Sequence, residues 1–530
     1  MKKNSLTMAV VAGITGAVGL ANVATAVNLN PDGLGQVLIY PYYTVNAGNS
    51  TLLSVVNTTD EVKAVKVRFL EALNSREVLD FNLYLSPYDV WTAGVFQIPE
   101  GATGHPAAGV YTHDRSCTAP DIVTSGELPS IGGTNYVPFV NYQFSGVAAD
   151  HPASAAGTLS SLERTREGYV EMIEMANIIG AQAAWVKHGA SGVPANCAAV
   201  SNQWLTGSWP ATGQAEPNGS GQLFGNAMIV NAARGTIAGY SADAVEGFNY
   251  SILHFAPGDA EPSLADVNDP GGDFTQATAN VFEFGQLIQA SFLATAAGNF
   301  GRVDALSALY ASPRVLNEYY LDGNETVQAN TEWVINFPTK RFYVDRSPYI
   351  VDQFNTVSPA FNPAAPVAPF ANAFGANGAC QGIRVSIYDR EERVPGGGGL
   401  GFSPPRPGVP QNSLCWEAQV VTFGQGARLT AGEPSDILGS TYYTNVTPPT
   451  GFAAGWAAIE FGQAAGGGFT VPTMRASVDG QVFRGLPVTG FFVANYDNGI
   501  NAGDVLANYT ALFRHRTERD CVVGSIACSI

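Results

Sequence analysis

The sequence is poor in charge of either sign, and poorest in positive charge. Only 13% of its 530 residues are charged, with 26 Lys and Arg against 44 Asp and Glu, which gives a net charge of −18. Nucleic acids and anionic lipid surfaces bind proteins that carry dense clusters of Lys and Arg. The composition therefore argues against both as partners.

Cysteine and histidine are also scarce, and the usual motifs of metal and nucleophilic chemistry are missing. The six cysteines form no CxxC, CxxCH or zinc spacing, and the sequence has no HExxH and no GxSxG. The six histidines are scattered, so a structural role is predicted for each. These absences argue against zinc, haem and elbow-serine chemistry.

Long hydrophobic runs are absent except near the start. There two lysines precede an apolar run, and Ala24-Thr25-Ala26 matches the small-x-small pattern of a cleavage site. We expect residues 1–26 to be a signal peptide of bacterial type, which predicts export to the periplasm, the cell surface or the medium. No later stretch has the length and apolarity of a membrane helix, so no transmembrane span is predicted.

An even number of cysteines in an exported chain is typical of disulfide bonds. Proximity in sequence predicts the pairs Cys117–Cys197, Cys380–Cys415 and Cys521–Cys528.

Apolar residues with a period of two dominate the first and last thirds of the chain. In "AVKVRFLEAL" (64–73), for example, Val65 and Val67 alternate with Lys66 and Arg68. Such alternation is typical of half-buried strands. The sequence therefore predicts a mainly β protein with one or two immunoglobulin-like antiparallel β-sandwich modules and a loop and helix insertion.

Helical spacing appears between the two β regions. It occurs in "ANVFEFGQLIQASFLATAA" (279–297) and in "VDALSALYA" (303–311), and Ser312-Pro313 is typical of the start of a helix over "RVLNEYYL". The predicted organisation is a signal peptide (1–26), a β-sandwich module with long disulfide-bearing loops (27–250), a helical and loop insertion (251–330) and a second β-sandwich module (331–530).

Three segments of the first β region have counterparts in the last. "GYVEMIEM" (168–175) matches "GWAAIEF" (455–461), "GNAMIVNAARG" (225–235) matches "VTGFFVANYDNG" (488–499), and "GYSADAVEGF" (239–248) matches "ANYTALFRHR" (507–516). Duplication of one sandwich module explains the matches, and chance similarity between short strands is the alternative.

Four stretches carry a resemblance: "GQVLIYPYYTV" (35–45), "SPYDVWT" (86–92), "FPTKRFYVD" (337–345) and "GLPVTGF" (485–491). In these the chain resembles uncharacterised exported proteins of Gram-negative bacteria. The resemblance implies export, and it implies no activity and no catalytic residues.

A basic pair, Lys340-Arg341, follows Pro338 in an apolar segment. Because proline cannot donate to a sheet ladder, an edge strand or a kink is expected there, with the pair protecting the edge against pairing with other chains. The alternative is a binding site in which Lys340 and Arg341 hold an anion or a carboxylate-bearing sugar, with Trp333 and Tyr343 stacked nearby.

Two glycine-containing loops gather oxygen ligands suited to calcium. The candidate ligands are Asp266, Asp269 and Asp273 in "DVNDPGGD", and Asp497, Asn501 and Asp504 in "DNGINAGD". Turn formation by Asp, Asn and Gly is the simpler explanation of the same pattern.

We expect the protein to be a non-enzymatic component of the cell surface or extracellular matrix, which binds a glycan, a matrix polymer or further copies of itself. One alternative is an extracellular polysaccharide hydrolase that uses carboxylates from separate strands, with Glu171, Glu417 and Glu460 as candidates. Another is a calcium-dependent glycan-binding module.

Overall fold

The protein is mainly β, and nearly all its strands pair antiparallel, as the two-residue period predicts. The computed structural model describes residues 26–99, 107–146, 149–150, 158–205, 209–216, 221–269, 275–283, 285–294, 300–321, 328–345, 349–351, 357–359, 366–391, 413–424, 433–465, 468–498, 500–501, 505–506 and 508–522. The immunoglobulin-like topology and the domain boundaries stay predictions.

The first half of the chain forms two sheets. The strands are β1 (Asn28–Leu29), β2 (Val37–Thr44), β3 (Asn49–Asn57), β4 (Val62–Glu71), β5 (Glu77–Leu85), β6 (Val90–Gln97), β7 (Ala108–Tyr111), β8 (Cys117–Ala119), β9 (Ser130–Ile131), β10 (Thr134–Pro138), β11 (Glu167–Ile178), β12 (Gln214–Ala215), β13 (Leu223–Asn231), β14 (Thr236–Ser241) and β15 (Asp243–Glu246). One sheet has the order β1-β15-β2-β11-β4-β5-β8, with β12 beside β11, and the other β14-β13-β3-β6-β7-β10-β9. Helices α1 (Gly180–Val186) and α2 (Cys197–Leu205) lie in the connection after β11.

These two sheets pack face to face as a first sandwich. The Tyr40 hydroxyl on β2 donates to the Ser54 carbonyl on β3 at 2.7 Å. The rings of Phe81 on β5 and Trp91 on β6 lie 5.8 Å apart. Both contacts bridge the two sheets, so the apolar positions of the alternating strands meet in one core.

The segment after the first sandwich is a hairpin and a helix: β16 (Gln276–Glu283), β17 (Gln286–Leu293) and α3 (Phe300–Tyr310). The helix predicted from "VDALSALYA" is confirmed as α3. The helix predicted over 279–297 is wrong, because the described part of that stretch is the β16–β17 hairpin. Its buried residues, such as Ala277 and Ala279, recur at every second position, and Gly285 adopts the positive φ of +79° that the turn needs.

The remaining strands build a second pair of sheets. They are β18 (Ala311–Ser312), β19 (Arg314–Tyr320), β20 (Gln328–Asn336), β21 (Tyr349–Val351), β22 (Val357–Pro359), β23 (Gln381–Asp389), β24 (Ser413–Leu414), β25 (Ala418–Phe423), β26 (Tyr443–Val446), β27 (Ala454–Phe461), β28 (Gln463–Ala465), β29 (Gly468–Thr470), β30 (Val482–Phe483), β31 (Leu486–Pro487), β32 (Thr489–Asp497), β33 (Ile500–Asn501), β34 (Val505–Leu506), β35 (Tyr509–Arg514), β36 (Arg516–Thr517) and β37 (Cys521–Val522). The sheets have the orders β24-β23-β27-β19-β36 and β26-β25-β20-β32-β35, and Tyr319 of the first stacks on Phe423 of the second at 5.6 Å. Only β25–β26 among the named pairs is parallel.

In this half a predicted helix and a predicted edge strand are wrong, whereas the kink given as the alternative at Pro338 is present. The helix expected after Ser312-Pro313 is strand β19, in which Val315 and Tyr319 are buried while Glu318 is exposed. The strand before Pro338 is not an edge strand, because β20 lies between β25 and β32. Pro338 instead follows the end of β20 and precedes the helical turn α4 (Arg341–Val344).

The two sandwiches share one strand order. In the first, β2-β11-β4-β5 faces β14-β13-β3-β6; in the second, β19-β27-β23-β24 faces β35-β32-β20-β25, and equivalent strands follow in the same chain order. A glycine also occupies the equivalent position in each sandwich. A Cβ at Gly168 on β11 would collide with the Leu70 carbonyl of β4, and one at Gly455 on β27 with the Tyr388 carbonyl of β23. The structure favours duplication over chance.

Two of the three predicted disulfides, Cys117–Cys197 and Cys380–Cys415, are confirmed. Cys521 is disulfide-bonded as well, and Cys528 lies outside the described residues. None of the helices in the described part of the chain combines the length and apolarity needed to cross a membrane.

The outer face of the sheet that contains β11 and β4 is covered. Lys66 and Arg68, expected on a half-exposed strand, are fully buried and pair with Asp80, Glu77 and Glu171. The cover comes from the loop after β15, whose Ala256 carbonyl accepts from Lys66, and from the second sandwich. The equivalent outer face of the second sandwich is exposed, and it holds the candidate site.

Candidate functional site

The four residues of the predicted anion or sugar site lie inside the protein. Trp333 and Tyr343 are 0% exposed, Lys340 is 1% and Arg341 5% exposed. Lys340 Nζ donates to the carbonyls of Cys415 and Trp416, both at 3.0 Å, and burial lowers its pKa to about 7. Arg341 Nη1 donates to the Ser75 carbonyl of the first sandwich at 2.7 Å.

The two aromatic members are equally engaged. Trp333 Nε1 donates to the Glu318 carbonyl at 3.0 Å, and the Tyr343 hydroxyl donates to Asp304 at 2.7 Å. The basic pair and its aromatic neighbours are therefore part of the core of the second sandwich and of its contact with the first, where no ligand reaches them.

The calcium loops are only partly described. Asp266 accepts from the Ser263 backbone at 2.8 Å, and Asp269 accepts from Thr278 N at 2.7 Å, so both carboxylates hold the chain locally. Asp273 and Asp504 lie outside the described residues, as do the side chain of Asn501 and any ligand set shared with Asp497. Within the described ranges no three His, Cys, Asp or Glu side chains form a metal cluster; calcium stays a prediction.

The carboxylates proposed for a hydrolase do not share a cleft. Glu171 is buried and bonded to Arg68 at 3.1 Å. Glu417 is 0% exposed, and burial raises its pKa well above the ordinary range of a carboxyl group. Glu460 lies on the outer face of the second sandwich, paired with Arg384. Two of the three are thus enclosed, and the third faces solvent elsewhere.

Ser86 and Asp89, three residues apart in sequence, meet the distant His188 in the first sandwich. Ser86 Oγ lies 2.6 Å from His188 Nδ1, and Asp89 Oδ2 lies 3.1 Å from Ser86 Oγ and 3.6 Å from His188 Nδ1. A catalytic triad needs its acid and its serine on opposite ring nitrogens. Here both contact Nδ1, and Asp89 also accepts from Ser86 N at 2.9 Å, so the cluster holds the turn between β5 and β6.

A groove of 560 Å³ lies beside β5 and is lined by apolar side chains with the carboxylates Glu77, Asp80, Asp121 and Glu127. Arg68 and Lys66 already neutralise Glu77 and Asp80. Burial raises the pKa of Asp80 to about 6. Half of the carboxylates that line this groove are therefore used inside the protein.

The open face of the second sandwich is built from three strands in register. Trp456 on β27 lies between Tyr388 on β23 and Glu318 on β19, and Trp456 is 42% exposed. The rings of Tyr388 and Trp456 stack with centroids 4.2 Å apart. A neighbouring row holds the small or apolar side chains Ser386, Ala458 and Leu316 with Arg516 of β36 beside them.

A cavity of 380 Å³ opens on the side of Trp456 that faces away from Tyr388. It is lined by Leu316, Asn317, Glu318, Trp456, Phe513, Arg514 and Arg516. Trp456 and Phe513, which is 56% exposed, supply the aromatic surfaces, while Glu318 and Arg516 bring charges of opposite sign. We call this cavity, with its seven lining residues, the aromatic slot.

One wall of the aromatic slot is fixed where the chain passes from β35 to β36. Asn317 Nδ2 donates to the carbonyls of Phe513 and Arg514, both at 3.3 Å, and lies 3.1 Å from His515 Nδ1. His515 Nε2 lies 2.9 Å from the Val334 carbonyl. A carbonyl can only accept and an amide nitrogen can only donate, so Nε2 carries a proton, Nδ1 accepts from Asn317 and His515 is neutral. Burial lowers its pKa to about 4.

Replacing His515 with glutamine is expected to weaken the acid sensitivity of the fold. The folded-state pKa of about 4 lies below the ordinary histidine value, so an unfolded chain binds a proton that the folded chain does not between those values. The wild type should therefore lose about 3 kcal/mol more than His515→Gln between pH 7 and pH 4. Urea unfolding at both pH values measures this. The control is His113→Gln, because His113 is exposed. If His515→Gln lost as much unfolding free energy between pH 7 and pH 4 as the wild type, the prediction would be contradicted.

The histidines His254 and His515, which follow apolar strands in sequence, contact different elements. His254 bonds Tyr84 and Gln214 in the first sandwich.

The aromatic slot itself was not predicted from the sequence. The sequence offered one signal for it: two alternating strands each carry an aromatic residue at an outward position, Tyr388 in "GIRVSIYD" and Trp456 in "GWAAIEF". Only the pairing of the two strands shows that these residues are neighbours.

No protein-family model, characterised protein or solved structure matches this chain.

Proposed function

We propose that the protein is an exported, non-enzymatic binding protein whose aromatic slot takes up a carbohydrate polymer at the cell surface or in the extracellular matrix. The observation that carries the proposal is the exposed Trp456, whose ring stacks on that of Tyr388 with centroids 4.2 Å apart, beside a cavity of 380 Å³. The apolar C–H face of a sugar ring packs on an aromatic ring, while polar groups nearby bond its hydroxyls.

Comparison of the two sandwiches supports this. Tyr169 on β11 stands where Trp456 stands on β27, since each follows the equivalent glycine. Tyr169 is 0% exposed and its hydroxyl donates to Ser75 Oγ at 2.8 Å. One copy of the face is used for packing inside the chain, and the other is left with its tryptophan in solvent. Exposed apolar surface in such a setting is typical of interaction sites.

The export part of the proposal rests on the signal-peptide pattern, on the disulfides and on the resemblance to exported proteins of Gram-negative bacteria. Disulfides persist in oxidising compartments outside the cytoplasm. A cell-fractionation blot with an antibody against the mature chain measures the location, and a cytoplasmic pool alone would contradict export.

Replacing Trp456 with alanine is expected to weaken polysaccharide binding about 10- to 100-fold, because a central aromatic contact contributes about 2 kcal/mol or more. Affinity electrophoresis of the mature chain in gels with dextran, xylan, alginate or polygalacturonate measures retardation. Tyr142→Ala is the control, since Tyr142 is 71% exposed and lies on the first sandwich.

Two outcomes would reject this function. Equal retardation of both variants would remove Trp456 from the site, and no retardation in any gel would remove the carbohydrate ligand. Sedimentation velocity on the same samples tests whether the open face serves self-association instead. Dimers that form with rising concentration in the wild type and are absent in Trp456→Ala would support that alternative.

A further inference from the structure

The arginines on and beside the open face of the second sandwich are not equivalent. Arg314 pairs with Glu518, Arg384 with Glu460 and Arg514 with Asp243. The fourth, Arg516, is exposed and lines the aromatic slot. No carboxylate of the described residues forms an ion pair with it. In a chain of net charge −18, a free guanidinium beside an exposed tryptophan is the exception on this face.

The position of Arg516 is fixed by its strand. β36 pairs with β19 through Val315↔Thr517 and Leu316↔Arg516, so the Arg516 side chain projects on the same side as Leu316, the floor of the slot. Asn317 and His515 anchor the chain just before it. Glu318 lies two residues further along β19 than Leu316, in register with Trp456. Because β19 lies between β27 and β36, the slot has the Trp456 ring on one side, the Arg516 guanidinium on the other and the Glu318 carboxylate on the strand between them.

We infer that the polymer bound by the aromatic slot is a polyuronate, with one sugar ring against Trp456 and its carboxylate on Arg516. The inference rests on the proposed carbohydrate-binding function and specifies its ligand. The planar guanidinium matches a carboxylate with two parallel N–H···O bonds, a geometry that lysine cannot reproduce. Glu318, on the strand between them, accepts from the Tyr320 hydroxyl through one oxygen. Its other oxygen accepts from the ring hydroxyls, and its charge disfavours a sugar carboxylate that does not reach Arg516.

The aromatic slot combines the residue types that the sequence predicted around Lys340 and Arg341, but at a different place in the fold. A cation beside a stacked aromatic residue was expected in the segment 331–345, where both partners are buried. The same combination occurs in the aromatic slot, from β27 and β36, at positions separated in sequence by about 60 residues and joined only through β19.

The test compares the affinities of wild type, Arg516→Gln, Arg516→Lys and Trp456→Ala for four polymers: polygalacturonate, alginate, dextran sulfate and neutral dextran. Isothermal titration calorimetry at constant ionic strength measures them. Arg516→Gln is expected to lower affinity for both polyuronates about 10- to 100-fold, since a hydrogen-bonded charged pair is lost, and to leave dextran within about twofold. Arg516→Lys should recover only part of the loss.

The control for net charge is Lys187→Gln, which removes one positive charge from an exposed site on the first sandwich and should change no affinity more than about twofold. Circular dichroism and melting curves that match the wild type show that each variant is folded.

The outcomes separate the two proposals. Polyuronate preference that disappears in Arg516→Gln supports the inference. If wild type binds neutral dextran as well as polyuronates, and only Trp456→Ala weakens binding, the carbohydrate function stands and the polyuronate assignment is overturned. Equal or tighter binding to dextran sulfate also overturns it, because a general anion site needs no carboxylate geometry. Binding to none of the four rejects both.

Discussion

Replacing Arg164 with methionine is expected to lower the free energy of unfolding by about 3–5 kcal/mol, the cost of leaving a buried charge without its partner. Arg164 is fully buried and forms two bonds to the Glu71 carboxylate, from Nε at 2.6 Å and Nη2 at 2.7 Å. Nη2 also lies 2.6 Å from Asp150. Methionine fills most of the space but leaves two enclosed carboxylates facing each other.

Glu71 makes the loss more severe because it organises a turn. Its carboxylate accepts from the backbone N–H groups of Leu73, Asn74 and Arg76 at 2.7, 3.0 and 2.9 Å. This turn also contacts the second sandwich, because the Ala72 carbonyl accepts a hydrogen bond from Ala418 N at 2.9 Å. Loss of Arg164 should therefore loosen the contact between the sandwiches before either unfolds.

Urea unfolding gives the free energy, and hydrogen exchange at the Ala418 amide reports the contact. Arg390→Met is the matched control, because the Arg390 side chain is 65% exposed and its ion pair with Glu391 should be worth about 1 kcal/mol at most. A loss below about 1 kcal/mol in Arg164→Met, with unchanged exchange, would show that the buried network contributes little.

Replacing Trp333 with alanine is expected to cost about 3–5 kcal/mol, the usual range for a large buried aromatic side chain. Trp333 is 0% exposed, its ring lies 5.0 Å from those of Phe423 and His515, and Nε1 donates to the Glu318 carbonyl. Alanine leaves a cavity between the two sheets and an unpaired carbonyl beside it.

Trp456→Ala is the comparison for the same residue type. Trp456 is 42% exposed and mainly contacts Tyr388, so its loss should cost about 1 kcal/mol. The two variants should show opposite profiles: Trp333→Ala lowers the urea midpoint, and Trp456→Ala lowers polysaccharide binding at nearly normal stability. Near-normal stability in Trp333→Ala, with binding lost, would instead restore the ligand site predicted in the segment 331–345.

Local pattern predicted the strands well where the period of two was long and uninterrupted. "AVKVRFLEAL" lies in and around β4 and "GYVEMIEMANI" in β11, and two of the three strand matches between the β regions fall on equivalent strands, β11 with β27 and β13 with β32. The third is out of register, because 239–248 spans the end of β14 and all of β15 while 507–516 contains β35. The pattern worked because inward positions on these strands meet a facing sheet in both sandwiches.

The same reasoning failed where local signals conflicted. "FEFGQLIQASF" has apolar residues at both helical and strand spacing, and Ser312-Pro313 resembles a helix start. In the protein, pairing of β16 with β17, and of β19 with β27, decides the outcome. Long-range hydrogen bonding of this kind overrides short-range propensity, and a single sequence does not display it.

From the sequence alone came the β class, the acidic and cation-poor surface, two of the disulfide pairs and the repeat of strand motifs, because these depend on composition and on contacts between successive strands. Only the tertiary structure decided which charges face water. Lys66 and Lys340 became interior because neighbouring segments cover their strands, whereas Trp456 and Arg516 stayed in solvent because no described segment packs over the equivalent face of the second sandwich. Burial is set by what packs against a strand from elsewhere in the chain, and alternation along the strand does not contain that information.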